Sequence, residues 1–231
     1  MKRISFLILL SALALGACDS APKENEEEKI TEADRPKTRL DSLKERMGGN
    51  LATGTEVDKA AAAFGEKVAM EAAGILRSNL QGAMEEGGVE QALVHCFEAA
   101  ETLHQPLAQK YEAQISRVSH KPRNPDNEAS GHEKELISIL QSQLKTGEEV
   151  PALKEETDAF TYYHPIITQQ MCLNCHGVKE QDIAELDLMT IELMYPTDRA
   201  TGFKAGDIRG LWKVRFSKNR LQQEMNSKEA I

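Results

Sequence analysis

Residues 210–216 read GLWKVRF, and their large apolar side chains alternate with Lys213 and Arg215. A period of two residues is typical of an antiparallel strand that buries one face and exposes the other. Two further stretches, AQISRVSH at 113–120 and FTYYHPIIT at 160–168, have the β-branched and aromatic content of strands. Together these stretches predict an antiparallel sheet in the second half of the chain.

The chain before these strands has the spacing of helices instead. Apolar side chains recur every three or four residues over 57–84 and again over 89–107, and the pair Gly87-Gly88 separates the two series. A shorter helix is predicted over 132–147. Because the long helices come first and the strands later, the sequence predicts an α+β fold with an antiparallel sheet and long N-terminal helices.

The first seventeen residues, MKRISFLILLSALALGA, have the layout of an export signal, with two basic residues before an apolar run that ends in small residues. The boundary at 15–18 reads LGAC, which resembles the bacterial lipoprotein signal, in which the cysteine, here Cys18, is lipidated. A buried hydrophobic helix with a chance cysteine is the alternative interpretation. Asp19 follows, a residue that favours retention in the inner membrane of enteric bacteria. We therefore expect a lipid anchor on the periplasmic face of a bacterial membrane.

Residues 18–55 are polar and charged, with almost no large apolar side chains. Such a stretch cannot bury enough surface to offset the entropy of ordering, so we expect a flexible tether; a tail that binds a partner is the alternative. One domain is expected over 56–220, followed by a C-terminal tail at 221–231. The formal charge is −9 and no basic stripe is present, so nucleic acid is not an expected partner.

The stretch MCLNCHGVK at 171–179 contains a CxxCH motif. In a c-type haem site the thiols of Cys172 and Cys175 form thioethers with the haem vinyl groups, and His176 becomes the proximal iron ligand. Zinc is an alternative, but the chain has no second CxxC and no HxxxH. A redox dithiol is another, although the surrounding pattern is not that of a βαβ unit. The motif therefore predicts one covalently attached haem c, and export agrees, because bacterial c-type haem is attached outside the inner membrane.

The second axial ligand of such a haem is predicted less directly. Cys96 lies on the apolar face of the helix predicted over 89–107, where a thiolate would need a compensating charge such as ferric iron. A buried cysteine that packs as a small hydrophobe is the alternative interpretation. His95 is another candidate ligand, but it lies about 100° round the helix from Cys96.

Four blocks in order resemble a known family: GGVEQALVHCFEAA, RVSHKPRNPDNEAS, YYHPIITQQMCLNCHG and YPTDRATGFKAGDIRGLWKV. The family comprises exported monohaem c proteins of PAS-like fold, long catalogued as a domain of unknown function. The resemblance covers roughly residues 57–217. It implies that Cys96 is the distal thiolate and His176 the proximal ligand.

The second of these blocks resembles the family's loop near the haem, and it includes Arg117, Arg123 and Asn124. Guanidinium groups there are suited to pair with the haem propionates. A plain turn is the alternative, because Asn-Pro and Asp-Asn pairs form turns in any case. The family usually has a proline where Ala129 stands, so the resemblance does not specify the path of this loop.

The remaining histidines are expected to serve other roles. His104, His120 and His132 stand in polar surroundings and are expected to be solvated. His164 lies next to Pro165 in an apolar stretch, which favours a core position or a contact with a haem propionate over a second metal site.

A haem with both axial positions filled has no vacant site for substrate, and the sequence contains no catalytic carboxylate pair, Ser/His/Asp pattern or phosphate loop. We therefore expect a low-potential haem in a redox-responsive sensor or electron-transfer module, working with a separate redox or signalling protein. A haem enzyme or gas sensor in which Cys96 leaves the iron is one alternative. A zinc-binding or structural lipoprotein is another.

Overall fold

A computed structural model describes residues 54–99, 102–146 and 152–229, all within the unit Lys37–Ile231. The predicted leader at 1–17, Cys18, Asp19 and nearly all of the predicted tether lie outside the described residues. In the described part of the chain, no helix is both long enough and apolar enough to cross a membrane.

The described residues form helices and a single sheet of four strands. The helices are α1 (Glu56–Ala99), α2 (Gln105–Tyr111), α3 (Gly131–Thr146), α4 (Leu173–His176), α5 (Glu185–Met194) and α6 (Lys218–Glu229). Short 3-10 turns cover Pro125–Asn127 and Gln170–Cys172. The strands are β1 (Ala113–Val118), β2 (Leu153–Glu155), β3 (Ala159–Ile167) and β4 (Ile208–Ser217).

The sheet has the order β1-β4-β3-β2, and every neighbouring pair is antiparallel. The long strand β4 lies in the centre and pairs with β1 on one side and β3 on the other. This arrangement confirms the predicted α+β fold with an antiparallel sheet and a long N-terminal helix.

The two faces of β4 are covered by different helices. Trp212 and Phe216 are buried in one apolar cluster with Phe64 of α1. Leu211 belongs to a second cluster, with Leu136 of α3. The predicted alternation along β4 is therefore present. Its second face is partly covered by α3, where Lys213 pairs with the buried carboxylate of Glu133 at 2.8 Å and does not face open water.

Helix α1 is kinked where the sequence predicts a break. Gly87 and Gly88 have non-helical backbone angles, and Gly88 has φ +70°, which glycine adopts without steric cost. The second predicted helix, over 89–107, is wrong at its end: α1 stops at Ala99, and the separate helix α2 begins at Gln105. Pro106 explains the break, because proline cannot continue a helix but fits its first turn.

Helix α6 covers most of the residues that were expected to be a C-terminal tail. Leu221 is buried in the cluster beneath α1, and Lys67 pairs with Glu224 at 3.2 Å. The guanidinium of Arg220 lies over the ring of Phe64, 5.0 Å from its centroid. The last helix therefore packs against the domain.

The expectation of solvated histidines is wrong for His104. Its ring is buried, with Nε2 3.2 Å from the carbonyl oxygen of Ala72 and its edge against Trp212. His120 and His132 are half-buried. His164 is half-buried on β3, where it stacks on the neighbouring Tyr162.

Candidate cofactor site

A cavity of about 530 Å³ lies between the α1 face of the sheet, the second part of α1 and the CxxCH segment. It brings together side chains from distant parts of the sequence. All seven residues predicted to bind a cofactor line it, namely Cys96, Arg117, Arg123, Asn124, Cys172, Cys175 and His176. The alternative ligand His95 is not among the described side chains that line this cavity.

The CxxCH segment is a compact turn of chain. A 3-10 turn ends at Cys172 and runs directly into α4, which ends at His176. Cys172 and Cys175 are both half-buried, and neither forms a disulfide in the structure. Gly177 closes the turn so tightly that a Cβ there would lie 2.4 Å from the Cβ of Asp182. The two sulfur atoms and the imidazole are thereby presented to the cavity from one short stretch.

The orientation of the His176 ring is set by a hydrogen bond to the backbone. Nδ1 lies 2.7 Å from the carbonyl oxygen of Ala200, so Nδ1–H is the donor and Nε2 is left with a lone pair. Burial lowers the pKa of His176 well below its usual value, and the cations Arg209 and Arg123 lower this pKa further. A neutral imidazole with a free Nε2 is the form that ligates metals.

Arg123 and Asp198 connect the CxxCH segment to the chain around Ala200. The pair is almost fully buried, with side chains 10% and 6% exposed, and Arg123 Nε lies 3.2 Å from Asp198 Oδ1. Arg123 also donates from Nη2 to the carbonyl oxygen of Cys175 at 2.5 Å. Asp198 Oδ1 accepts the backbone N–H of Ala200 at 2.8 Å. A continuous chain of contacts therefore leads from Arg123 through Asp198 and Ala200 to the ring of His176.

The other residues of the predicted loop have local partners too. Asn124 accepts the backbone N–H of Asp126 and caps the 3-10 turn that follows, so the turn interpretation of Asn124 is correct for its side-chain oxygen. Arg117 on β1 places its guanidinium over the ring of Trp212, 5.6 Å from the centroid.

Cys96 lies on the second part of α1, after the glycine kink. Burial raises the pKa of its thiol, and three nearby arginines, Arg117, Arg209 and Arg123, act in the opposite direction. One turn earlier, Leu93 packs in an apolar cluster with Ile191 of α5, and Cys175 lies against this cluster. The packing therefore places the helix that carries Cys96 directly beside the CxxCH segment.

Arg209 is a site residue that the sequence analysis missed. It lines the cavity from β4, and its Nε atom is buried with no hydrogen-bond partner among the described residues. Burial lowers its pKa to about 10, and the neighbouring cations Arg117 and Arg123 contribute to this shift. The quoted fourth block contains Arg209, but nothing in its local pattern distinguishes it from a strand residue on the opposite face.

The lining residues fit the covalently attached haem that the motif predicts. A haem is a flat apolar ring with two carboxylates, and the cavity combines apolar walls with three arginines, one of which has an unpartnered donor. Cys172 and Cys175 would supply thiols for attachment, and His176 and Cys96 would supply two ligand atoms. The apolar walls are formed chiefly by Leu76, Leu80, Met84, Leu93, Ile166 and Met194. Considering only the residues that the structure describes, no group of three or more His, Cys, Asp or Glu side chains is placed to hold a metal ion.

Comparison with known proteins agrees with the family inferred from the four sequence blocks. The model of the Tll0287-like family matches residues 28–217. The solved crystal structure of the cyanobacterial haem protein Tll0287 is 25% identical and has a TM-score of 0.37; the match covers 51% of this chain and 73% of that chain. No curated protein matches this sequence. Since the family model spans most of the sequence, the chain belongs to the Tll0287-like family.

Proposed function

We propose that this protein carries one haem c, bound through Cys172 and Cys175 with His176 and Cys96 as axial ligands, and that it acts as a redox-responsive sensor or electron-transfer module. The observation that carries the proposal is the convergence of the CxxCH motif, the thiol of Cys96 and a cluster of arginines on one cavity. Membership of the Tll0287-like family supports it, because the solved cyanobacterial relative is described as a haem protein.

The chain's own residues suit one-electron chemistry better than substrate turnover. A bound haem would supply an iron that cycles between two oxidation states. His176 is held by Ala200, and Cys96 is carried on a helix packed against the CxxCH segment, so the cavity offers two candidate ligands for the iron. If both ligands were bound, electron exchange or a change of ligand would be the available chemistry, and the proposed partner is a separate redox or signalling protein.

Covalent attachment is tested by acid extraction of the purified protein, produced in a host that attaches haem c. Haem should remain on the polypeptide, and the pyridine haemochrome spectrum should have the form of two thioether links. Cys172→Ala should weaken or abolish attachment, whereas Cys96→Ala should keep it. A colourless protein, or complete extraction of the haem, would contradict the proposal and favour the zinc-binding or structural lipoprotein.

The ligand assignment is tested by optical and EPR spectra of the ferric protein. Replacing Cys96 by alanine should change both spectra and raise the midpoint potential, because a thiolate stabilises the ferric state. His95→Ala is the matched control, since His95 is the adjacent residue on the same helix and should leave both spectra unchanged. Identical spectra before and after the removal of Cys96 would refute the thiolate ligand.

One structural feature favours a second function, in which Cys96 leaves the iron and a small molecule binds. Cys96 lies on the part of α1 that follows the non-helical residues Gly87 and Gly88. A kink therefore separates this segment from the rest of the helix. In a haem-based gas sensor or haem enzyme, bending at this kink would allow Cys96 to move away from the iron. Rapid, stoichiometric binding of carbon monoxide to the reduced protein would favour this function, and failure to bind would favour the electron-transfer module.

We further propose that the mature chain is anchored by a lipid on Cys18 and faces the periplasm, with the inner membrane favoured by Asp19. Cys18→Ser should block processing at the lipoprotein site and change the fraction in which the protein is recovered. Equal solubility with and without Cys18 would remove the anchor from the proposal and leave the haem site unaffected.

A further inference from the structure

The register between β3 and β4 contains an irregularity at the cavity. Ile166 pairs with Gly210, but the next residue of β3, Ile167, pairs with Ile208. Arg209 is therefore an extra residue on β4 with no partner opposite it. A bulge of this kind locally redirects the side chain of the strand that carries it.

The bulge places Arg209 on the cavity side of the sheet, whereas regular alternation would place it on the α3 side. Counting back from Leu211, which packs on the α3 side, strict alternation puts residue 209 on that same side. Instead Ile208 occupies the α3 side, in the cluster with Leu136 and Leu211. Arg209 lines the cavity on the opposite side, close to Arg117.

Arg209 and Arg123 differ in how their charges are compensated. Arg123 is neutralised by Asp198 and bonded to the carbonyl oxygen of Cys175. For Arg209, no ion pair or hydrogen bond of the guanidinium to another described residue is present, and its Nε is fully buried. The Arg209 side chain as a whole is half-buried, and the repulsion from Arg117 and Arg123 is offset in part by Cys172 and Cys96. A buried donor without a partner is costly, and so is a cation held beside two others. The cavity therefore has a site for an anion at Arg209.

We propose that Arg209 binds a carboxylate of the haem propionates, and that Arg123 is instead a positioning residue for the CxxCH segment. This inference rests on the proposed haem function. A guanidinium binds a carboxylate through two parallel N–H donors, which compensates the charge and supplies the partner that Nε lacks. Arg123, which the loop sequence suggested as the propionate ligand, is thus already paired within the protein. Arg209, which the bulge turns towards the cavity, is the arginine that binds the propionate.

The test compares Arg209→Gln with Arg215→Gln in the haem-loaded protein. Arg215 lies on the same strand, but its guanidinium pairs with Glu156 and is 37% exposed, so its loss removes the same charge away from the cavity. Arg209→Gln removes a cation from the cavity and would leave a propionate uncompensated, which would stabilise the ferric state. The equilibrium constant for reduction should fall about tenfold, which is 59 mV for a one-electron couple. Arg215→Gln should leave it unchanged.

Arg209→Lys provides a second arm that does not depend on the glutamine variant folding. It keeps the charge but loses the two-donor fork, so the potential should change little while the propionate bending band in the resonance Raman spectrum shifts. An unchanged potential in Arg209→Gln, with unchanged propionate bands in both Arg209 variants and normal haem content, would overturn this inference alone. Absence of covalent haem from the natural protein would overturn the proposed function and this inference with it.

Discussion

The buried pair of Arg123 and Asp198 offers a sharp test of how the site is held together. Replacing Arg123 by glutamine removes the cation and leaves the Asp198 carboxylate 6% exposed, with only the backbone N–H of Ala200 as a remaining partner in this network. The substitution also removes the hydrogen bond to the carbonyl oxygen of Cys175. Both losses fall on the segment that orients His176.

The magnitude follows from the burial of the pair. Removing one partner of a buried ion pair costs about 3–5 kcal/mol, because the other charge stays buried without compensation. For a protein of this size, 1 kcal/mol corresponds to roughly 2–4 °C in Tm, so Arg123→Gln should lower Tm by roughly 6–20 °C. The exposed pair of Lys134 and Glu128 is a matched comparison, with side chains 42% and 38% exposed, and its loss should cost only about 0–1 kcal/mol.

Thermal unfolding of the haem-loaded protein, followed by circular dichroism, measures these differences. The double variant Arg123→Gln/Asp198→Asn should recover part of the loss seen in Arg123→Gln, because no charge is then left buried. The control Lys134→Gln should unfold close to the natural protein. A Tm for Arg123→Gln within about 2 °C of the natural value, or a double variant as unstable as the sum of the single ones, would refute the reasoning.

Two further predictions concern stability. Gly177→Ala should destabilise by about 1–3 kcal/mol in urea unfolding, because its Cβ would lie 2.4 Å from that of Asp182. Gly74 lies on α1, and an added Cβ there would have no neighbouring atom within 4 Å, so Gly74→Ala should increase the free energy of unfolding by up to about 1 kcal/mol. Equal effects of the Gly177 and Gly74 substitutions would contradict this description of the packing. Burial lowers the pKa of His104, so the unfolded chain gains a proton first, and stability should fall as pH drops below about 6.5. His104→Gln should flatten that decline, and an unchanged pH slope would exclude His104 as its source.

The parts of the fold that could be predicted are those whose apolar pattern is long enough to be unambiguous. The kinked helix α1 and the strand β4 each repeat their period several times, so the period identifies them, whereas β3 is predicted from its β-branched and aromatic content. Helix α6 was missed because its buried side chains are few, with Leu221 and Met225 as its contribution to the main cluster. Strand β2 has three residues, too few to show a period.

The candidate site could be predicted as far as its chemistry is local in sequence. The CxxCH spacing is contained in one turn of chain, and Cys96 was found from its place on an apolar helix face and from the family resemblance. The partner of Arg123 could not be found in this way, because Asp198 is 75 residues distant and the loop sequence suits a ligand equally well. Arg209 was hidden by a bulge that exists only once β3 and β4 are paired.

The reduction potential of the proposed haem depends on charges of both signs in this cavity. A thiolate from Cys96 would stabilise the ferric state and lower the potential. The cations Arg117 and Arg209 would oppose the additional positive charge of ferric iron and raise the potential, whereas the charge of Arg123 is compensated by Asp198. The ligand set alone therefore does not determine the value, but it does determine an order. The midpoint potential should be lowest for Arg209→Gln, intermediate for the natural protein and highest for Cys96→Ala, measured by optical titration at one pH and salt concentration. If Arg209→Gln lay above the natural protein, the guanidinium would not be acting on the iron as a charge, and if Cys96→Ala lay below it, the sulfur would not be an anionic ligand.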